Sequence, residues 1–288
     1  MEISKYQIQP KSTVDLTKRP TRPIGEEISR KKGEHLLRKN VEILTELQDK
    51  LYAQNNYAVL IVIQAMDTAG KDGVIKHVMS GLNPQGTQVH SFKAPSEEEL
   101  DHDYLWRICQ HLPARGNIGI FNRSHYEEVL VVRVHELIHK QGIPNKLISP
   151  DIWEQRYQQI NNFEKYLEEN GIQVLKFFLH LSKEEQKQRL LERIDNPKKN
   201  WKFSAADVKE RKFWSEYQTY YETVIQQTST NHAPWYVIPA DEKWYTRYMV
   251  SEIIVQQLKK LHLSYPKLEP EQTNMLSVYK KQLLEEED

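Results

Sequence analysis

One segment limits the possible folds more than any other. Val59-Leu60-Ile61-Val62-Ile63-Gln64 is a continuous apolar run rich in β-branched residues, and it stops at Ala65-Met66-Asp67-Thr68-Ala69-Gly70-Lys71-Asp72-Gly73. A helical pattern, Val74-Ile75-Lys76-His77-Val78-Met79, follows at once. An unbroken apolar strand is one buried on both faces, as in a parallel sheet. Strand, small-residue loop, lysine and helix, in that order, is the layout of a phosphate-binding P-loop. The loop amides and the helix N-terminus attract an anion, and Lys71 adds a full positive charge. Ala69, Gly70, Lys71, Asp72 and Gly73 are therefore the candidate phosphate cradle.

The match to G-x-x-x-x-G-K-[ST] has two departures. Ala65 replaces the first glycine, and Asp72 replaces the residue that usually helps hold Mg²⁺. Asp67 adds a carboxylate where phosphate would be repelled, unless it holds a divalent cation that bridges to the phosphates. The alternative is a plain strand-to-helix corner at Gly70 with Asp67 as a cap.

Further strands are expected at about 88–92, 117–122, 173–181 and 235–238. Between them, helices are expected at about 34–51, 96–112, 124–140, 151–170, 182–195, 205–228 and 241–261, with Asp151 and Asp241 as caps. The acidic tail is a candidate for one more helix. Alternating strands and helices imply a parallel five-stranded sheet with helices on both faces. The expected division is an N-terminal arm over 1–30, a single domain over 31–265 and an acidic tail over 266–288. The 288 residues contain 40 Lys+Arg and 40 Asp+Glu, so no basic excess marks a nucleic-acid binder. Cys109 is the only cysteine, and no run is apolar enough to span a membrane. A cytoplasmic location is expected, with no nucleic-acid or membrane partner.

Two more groups of residues carry chemistry. Strand 117–122 ends in Asn122-Arg123-Ser124-His125-Tyr126. Asn122 stands where P-loop proteins often place a metal-linked Asp, and Arg123 is positioned to reach a phosphate bidentately. Ser124 as an ordinary helix cap is the competing reading. Arg133 lies inside an apolar run and needs an anion or a carboxylate if buried. Residues 183–214 hold Arg189 and Arg193 at i,i+4, on one helix face, followed by Lys198, Lys199 and Lys202. That pattern suits a helical lid closing over transferring phosphates, or else a solvated charged face. Lys76, Arg123, Arg133 and the lid could together line a track for a polyanion.

In this order, these pieces resemble the family 2 polyphosphate kinases. The family's G-x-D-x-x-G-K motif corresponds to Ala65–Lys71, and its Asp-Arg-Ser plus aromatic pair corresponds to Asn122–Tyr126. The stretches Phe92–Arg107 and Asp195–Ser204 look similar as well, and Asn122 with His125-Tyr126-Glu127-Glu128 looks most like the third class. The resemblance covers about residues 30–265. It implies a thymidylate-kinase-like P-loop fold and phosphoryl transfer between inorganic polyphosphate and AMP, ADP, ATP or other nucleotides. It further implies Mg²⁺, with Mn²⁺ as a substitute, and a homo-oligomer (dimer or tetramer). Under it Asp67 holds metal and is joined by Asn122. Lys71 and Arg123 contact the transferring phosphates, and Arg189 and Arg193 act from the lid. Lys93, Arg107, Lys198, Lys199 and Lys202 serve the nucleotide or the lid. An ATP-dependent nucleotide kinase and a non-catalytic nucleotide- or polyphosphate-binding regulator are the alternatives.

Overall fold

Five strands form one parallel sheet in the order β2-β3-β1-β4-β5: β1 Ala58–Ala65, β2 Thr87–Ser91, β3 Ile118–Asn122, β4 Ile172–His180 and β5 Trp235–Pro239. The structure is a computed structural model that describes residues 3–24 and 28–286. Residues 1–2, 25–27 and 287–288 of the expected arm and tail lie outside the described residues. The central strand β1 pairs with both neighbours, Val59 opposite Ile118 and opposite Gln173. Side chains alternate across a strand. Val59, Ile61 and Ile63 accordingly enter one core, while Leu60 and Val62 enter the other.

The helices are α1 Arg30–Gln54, α2 Lys71–Val78, α3 Glu97–Leu100, α4 Trp106–Cys109, α5 Val131–Val134, α6 Ile152–Glu169, α7 Lys183–Asp195, α8 Ala205–Glu210, α9 Trp214–Thr228, α10 Lys243–Lys259 and α11 Pro270–Glu285. The first core takes Leu44 and Leu51 of α1, Val74 and Val78 of α2, and Met249, Ile253 and Leu258 of α10. The second takes Tyr157, Ile160 and Leu167 of α6 with Tyr221, Val224 and Ile225 of α9. Each core excludes water from one face of the same sheet, and the sheet is therefore held from both sides.

One buried polar network sits in the second core. Lys176 of β4 and Glu164 of α6 are both fully buried and 2.6 Å apart. Lys176 also donates to the Tyr126 hydroxyl at 2.9 Å and the Thr228 carbonyl at 2.6 Å, while the Tyr126 hydroxyl donates to Glu164 at 2.7 Å. Every charge thus meets a partner, as burial requires.

Several expected elements are corrected. The helix over 96–112 is two four-residue pieces, α3 and α4. The helix over 124–140 is a 3₁₀ turn at His125–Val129, then α5, then a second 3₁₀ turn at Leu137–Lys140. Glu136 takes φ 52°, in the left-handed region, and this ends α5. The helix over 205–228 is divided into α8 and α9 by a 3₁₀ turn at Arg211–Phe213. Neither aspartate caps as expected. Asp151 makes no side-chain cap bond, and α10 starts after Glu242. The Asp241 carboxylate instead accepts from the Ser182 amide at 2.8 Å and the Thr21 hydroxyl at 2.9 Å. The described part of the arm packs on the body: Ile8 is buried and its amide donates to the Trp235 carbonyl at 2.8 Å. This covers part of the β5 edge. The tail helix α11 is exposed throughout.

Candidate active site

The C-terminal ends of β1 and β3 open into a cleft of about 630 Å³. Ligands of open α/β sheets bind at such ends. β1 delivers the loop Met66–Gly70. Thr68 has φ 66° and Gly70 φ 105°, so the chain turns tightly before α2 begins at Lys71. Ala65 is still a buried strand residue without positive φ, and the position does not need glycine's freedom. This explains why the first motif glycine is dispensable here.

Lys71 folds back on the loop. Its Nζ donates to the Ala65 carbonyl at 2.8 Å and lies 3.5 Å from the Met66 carbonyl. Burial lowers its pKa from the usual lysine value, while Asp67 acts in the opposite direction. Arg123, at the end of β3, has φ 64° and sends Nη2 to Asp67 Oδ1 at 3.1 Å. Its Nη1 is 3.8 Å from Glu127. Burial pushes the Glu127 carboxyl up, and Arg123 and Lys71 pull it back. Lys71 and Arg123 are therefore held by carbonyls and carboxylates of the neighbouring loops.

Asn122 donates from Nδ2 to Asp72 at 2.9 Å, while its Oδ1 is buried and has no hydrogen-bond partner. Among the described residues no three His, Cys, Asp or Glu side chains converge on a possible metal position. The donors near the loop are hard oxygens from Asp67, Asp72 and Asn122. That set suits a Mg²⁺-like cation completed by ligand oxygens rather than an all-protein cage.

The two arginines of α7 are placed differently. Arg189 is 5 % exposed. Its Nε donates to Glu185, Nη1 to the Thr68 and Ala69 carbonyls, and Nη2 to the Ala240 and Asp241 carbonyls. All five guanidinium donors are thereby engaged. It ties α7 to the P-loop and, like Arg193, lines the cleft. Arg193 is half-buried and donates to Asp207 at 2.8 Å and the Lys202 carbonyl at 3.0 Å, joining α7 to α8. Lys93, Lys199 and Lys202 also line the cleft, with Lys199 paired to Glu192.

Four expected residues are not in the cleft lining. Lys76 is exposed on α2, and Lys198 is exposed beside the 3₁₀ turn at Asn200–Lys202. Arg133 donates to the Tyr157 hydroxyl at 2.7 Å and sits against the rings of Tyr220 and Trp153. Aromatic faces and a hydroxyl thus supply the partner that an anion was expected to supply. Arg107 is buried, donates to the Lys93 carbonyl at 2.9 Å and lies 3.4 Å from Glu99. It supports the Lys93 segment and lines the second cavity, with its Nε buried and without a hydrogen-bond partner among the described residues.

Sequence reading missed Lys243, Thr246 and Arg247 of α10, which complete the cleft. Lys243 and Arg247 have no hydrogen-bonding or ion-pair partner among the described residues. Arg247 Nη2 would lie 3.3 Å from a Cβ built on Gly73, so Gly73 leaves the space this guanidinium occupies. Burial and the charge of Arg189 lower the pKa of both Lys243 and Arg247. The i,i+4 pair Lys243/Arg247 was the available signal, but in sequence it looks like a solvated helix face.

A second cavity of about 300 Å³ adjoins the cleft and shares Phe92, Lys93, Ala94 and Arg123 with it. Its walls are mainly apolar, including Ile108, Val131, Val132 and Leu137.

The chain has clear relatives. It is 48 % identical over 286 residues to the ADP-polyphosphate phosphotransferase of Rhodopseudomonas palustris, covering 99 % of each chain. It is 50 % identical over 226 residues to the AMP/ADP-polyphosphate phosphotransferase of Meiothermus ruber, covering 78 % of this chain and 81 % of that one. Its fold is similar to that of polyphosphate kinase 2 from Arthrobacter aurescens TC1, with TM-score 0.88, 38 % identity and 97 % of both chains covered. The family profile described as Polyphosphate kinase 2 (PPK2) matches residues 27–265, and the chain belongs to that family.

Proposed function

We propose that this chain transfers the terminal phosphoryl group of inorganic polyphosphate to a nucleotide, taking AMP to ADP and ADP to ATP. The observation that carries the reading is the pairing of two spaces at Arg123. One is a P-loop cleft lined by Lys71, Arg123, Arg193, Lys199, Lys202, Lys243 and Arg247, and the other is an apolar cavity next door. The first suits a polyanion and the second a nucleoside. The names of the relatives point the same way, and we assign the chain to the third class, whose acceptors are both mono- and diphosphates.

In the reaction an oxygen of the nucleotide's terminal phosphate attacks the end phosphorus of the polyphosphate. The bond to the bridging oxygen breaks, and the polyphosphate leaves one unit shorter. The attacking oxygen is already anionic, so no general base is needed. Lys71 exchanges its loop carbonyls for the transferring group, and Arg123 exchanges Asp67 for it. Such electrostatic stabilisation and positioning supply most of the rate in phosphoryl transfer. Mg²⁺, or Mn²⁺ in its place, would be held by Asp67 with help from Asn122 and would neutralise phosphate charge.

The test is ADP formation from AMP, with polyphosphate and then ATP as donor. Faster turnover with polyphosphate is expected, and a strong preference for ATP would favour an ordinary nucleotide kinase. No turnover with either would favour a binding regulator, a reading that the departures from the P-loop pattern at Ala65 and Asp72 would otherwise suggest. A cytoplasmic location is in keeping with the single free Cys109. No helix among the described residues is long and apolar enough to cross a membrane. A homo-oligomer is supported by the unpartnered apolar side chains of α11, including Leu276, Tyr279 and Leu283. Light scattering on the whole chain tests it.

A further inference from the structure

The cavity beside Arg123 contains a polar constellation that the transfer reaction does not use. Glu128 lines this cavity yet is only 7 % exposed. Its Oε2 accepts from Gln141 Nε2 and lies 3.5 Å from Arg156 Nη1. Arg156 Nη2 donates to Gln141 Oε1 at 2.9 Å, which closes a three-residue ring. The Arg156 guanidinium lies 3.9 Å from the centroid of the Tyr104 ring, which holds it in place. The Gln141 amide is thus oriented by both neighbours, and the carboxylate is fixed through one oxygen. The other oxygen, Oε1, has no protein partner among the described residues.

Held through one oxygen, the carboxylate leaves the other open to the cavity, where it can accept a hydrogen bond from the cavity's occupant. Lys93, Arg107 and Lys140 also line the cavity, but no hydrogen bond joins any of them to this oxygen, which is free to accept from whatever fills the space. A nucleotide whose phosphate meets Arg123 in the cleft would place its base among Ile108, Val131, Val132 and Leu137, near Glu128. We propose that Glu128, held by Gln141 and Arg156, determines base specificity by accepting from an exocyclic amino group, so that 6-aminopurine nucleotides are preferred to 6-oxopurine ones. The oxo group would turn an acceptor toward an acceptor. This inference rests on the reading of the cavity as the acceptor's nucleoside site. A site built to hydrogen-bond one group discriminates far better than an apolar slot does.

Glu128→Gln tests it sharply. Gln141 Nε2 and Arg156 Nη1 are both donors, so the new amide must turn its oxygen toward them and its NH₂ toward the cavity. The preference should then reverse. With polyphosphate as donor, the wild-type kcat/KM ratio of AMP to IMP is expected to exceed about ten, consistent with a hydrogen bond to a charged group. In Glu128→Gln it should fall below one, while the KM for polyphosphate stays unchanged. A wild-type ratio near one, or an equal loss for both nucleotides in the variant, would overturn the proposal. Should Glu128→Gln not fold, Gln141→Met releases the carboxylate without changing its charge. There the ratio should drop at least severalfold, and an unchanged ratio is the overturning result. Calorimetric binding of AMP and IMP without polyphosphate gives the same comparison. Retained AMP preference in a chain that transfers nothing from polyphosphate would sink the proposed function and leave this inference standing.

Discussion

Arg123 Nη2 meets Asp67 Oδ1 at 3.1 Å, linking the loop after β3 to the loop after β1 across the mouth of the cleft. Both side chains are partly exposed, at 42 % and 29 %. An ion pair in that setting contributes little to stability, about 1 kcal/mol at most. Its place in the cleft therefore matters more than its energy. Asp67→Ala is expected to abolish Mg²⁺-dependent turnover while the melting temperature stays close to that of the parent chain. Measuring both on one preparation decides the matter, since a large loss of stability with retained turnover would make Asp67 a structural cap.

Lys71 donates to the loop carbonyls and is half-buried beside Asp67, Arg123 and Glu127. Lys71→Ala should reduce kcat by two or more orders of magnitude, comparable to removing one strong electrostatic donor from a transition state. Near-normal turnover in a folded variant would contradict the P-loop assignment.

Arg189 and Arg193 are one helical turn apart but should behave differently. Arg189 bridges α7 to four carbonyls of two loops. Arg189→Lys keeps the charge and loses the planar fork, so it should lower both melting temperature and kcat. Arg193 joins the two pieces of the lid, and Arg193→Ala should lower kcat more than it raises the nucleotide KM. Thermal melts and steady-state kinetics of both variants check the contrast. Equal behaviour would mean that the five-bond tie of Arg189 is not what fixes α7.

The Lys176–Glu164 pair makes a prediction about stability and its pH dependence. Glu164→Gln alone leaves a buried lysine uncompensated and should cost about 3–5 kcal/mol. Lys176→Met with Glu164→Leu removes both charges and should cost less than either single change. The Glu164 carboxyl is held below its ordinary range, burial being opposed by Lys176 and His125. A depressed folded-state pKa adds stability above the unfolded value near 4.5 and loses it as pH falls through the folded value. Urea melts between pH 7 and pH 3 should show that loss, and Glu164→Gln should flatten the slope. An unchanged slope in the variant would assign the acid sensitivity elsewhere.

The sequence was most readable where local chemistry decides the structure. β1 is uniformly apolar because both faces are buried, so its run and the loop after it were legible residue by residue. The same holds for Asp67 and Arg123, on loops after strand ends, and for Lys71, the first residue of α2, all of which line the cleft. Helix continuity was less legible. The stretch 124–140 has helical residue types, but Arg123 and Glu136 take positive φ to route the chain around the second cavity, and tertiary contacts outweigh weak propensity. Charges were the hardest to place. Arg133 looks like a ligand contact in sequence, yet aromatic rings and a tyrosine hydroxyl satisfy it, while Arg107 lines the second cavity rather than the cleft. Lys243 and Arg247 look solvated, yet they reach the cleft because α10 packs against α2 across a distance of more than 160 residues in the chain. No local pattern encodes such a contact.

Arg247 offers the last test, because it separates the two substrates. Its guanidinium lies over Gly73, on the α10 side of the cleft, and Lys243 is one turn away. The nucleoside cavity is on the opposite side, beyond Arg123, and contains neither residue. A cation that contacts only the donor contributes to binding it in ground and transition states alike, and such uniform binding appears in KM rather than kcat. Arg247→Ala should thus raise the KM for polyphosphate about tenfold or more, leave the KM for AMP nearly unchanged, and leave kcat within a few-fold of the parent. The effect should shrink as salt is raised, because an exposed anion contact is screened. Gly73→Ala is the companion change. A Cβ 3.3 Å from Nη2 would displace the guanidinium without removing it, so a smaller rise in the same KM is expected. If Arg247→Ala instead raised the KM for AMP and spared polyphosphate, the two substrates would have to exchange places in the cleft.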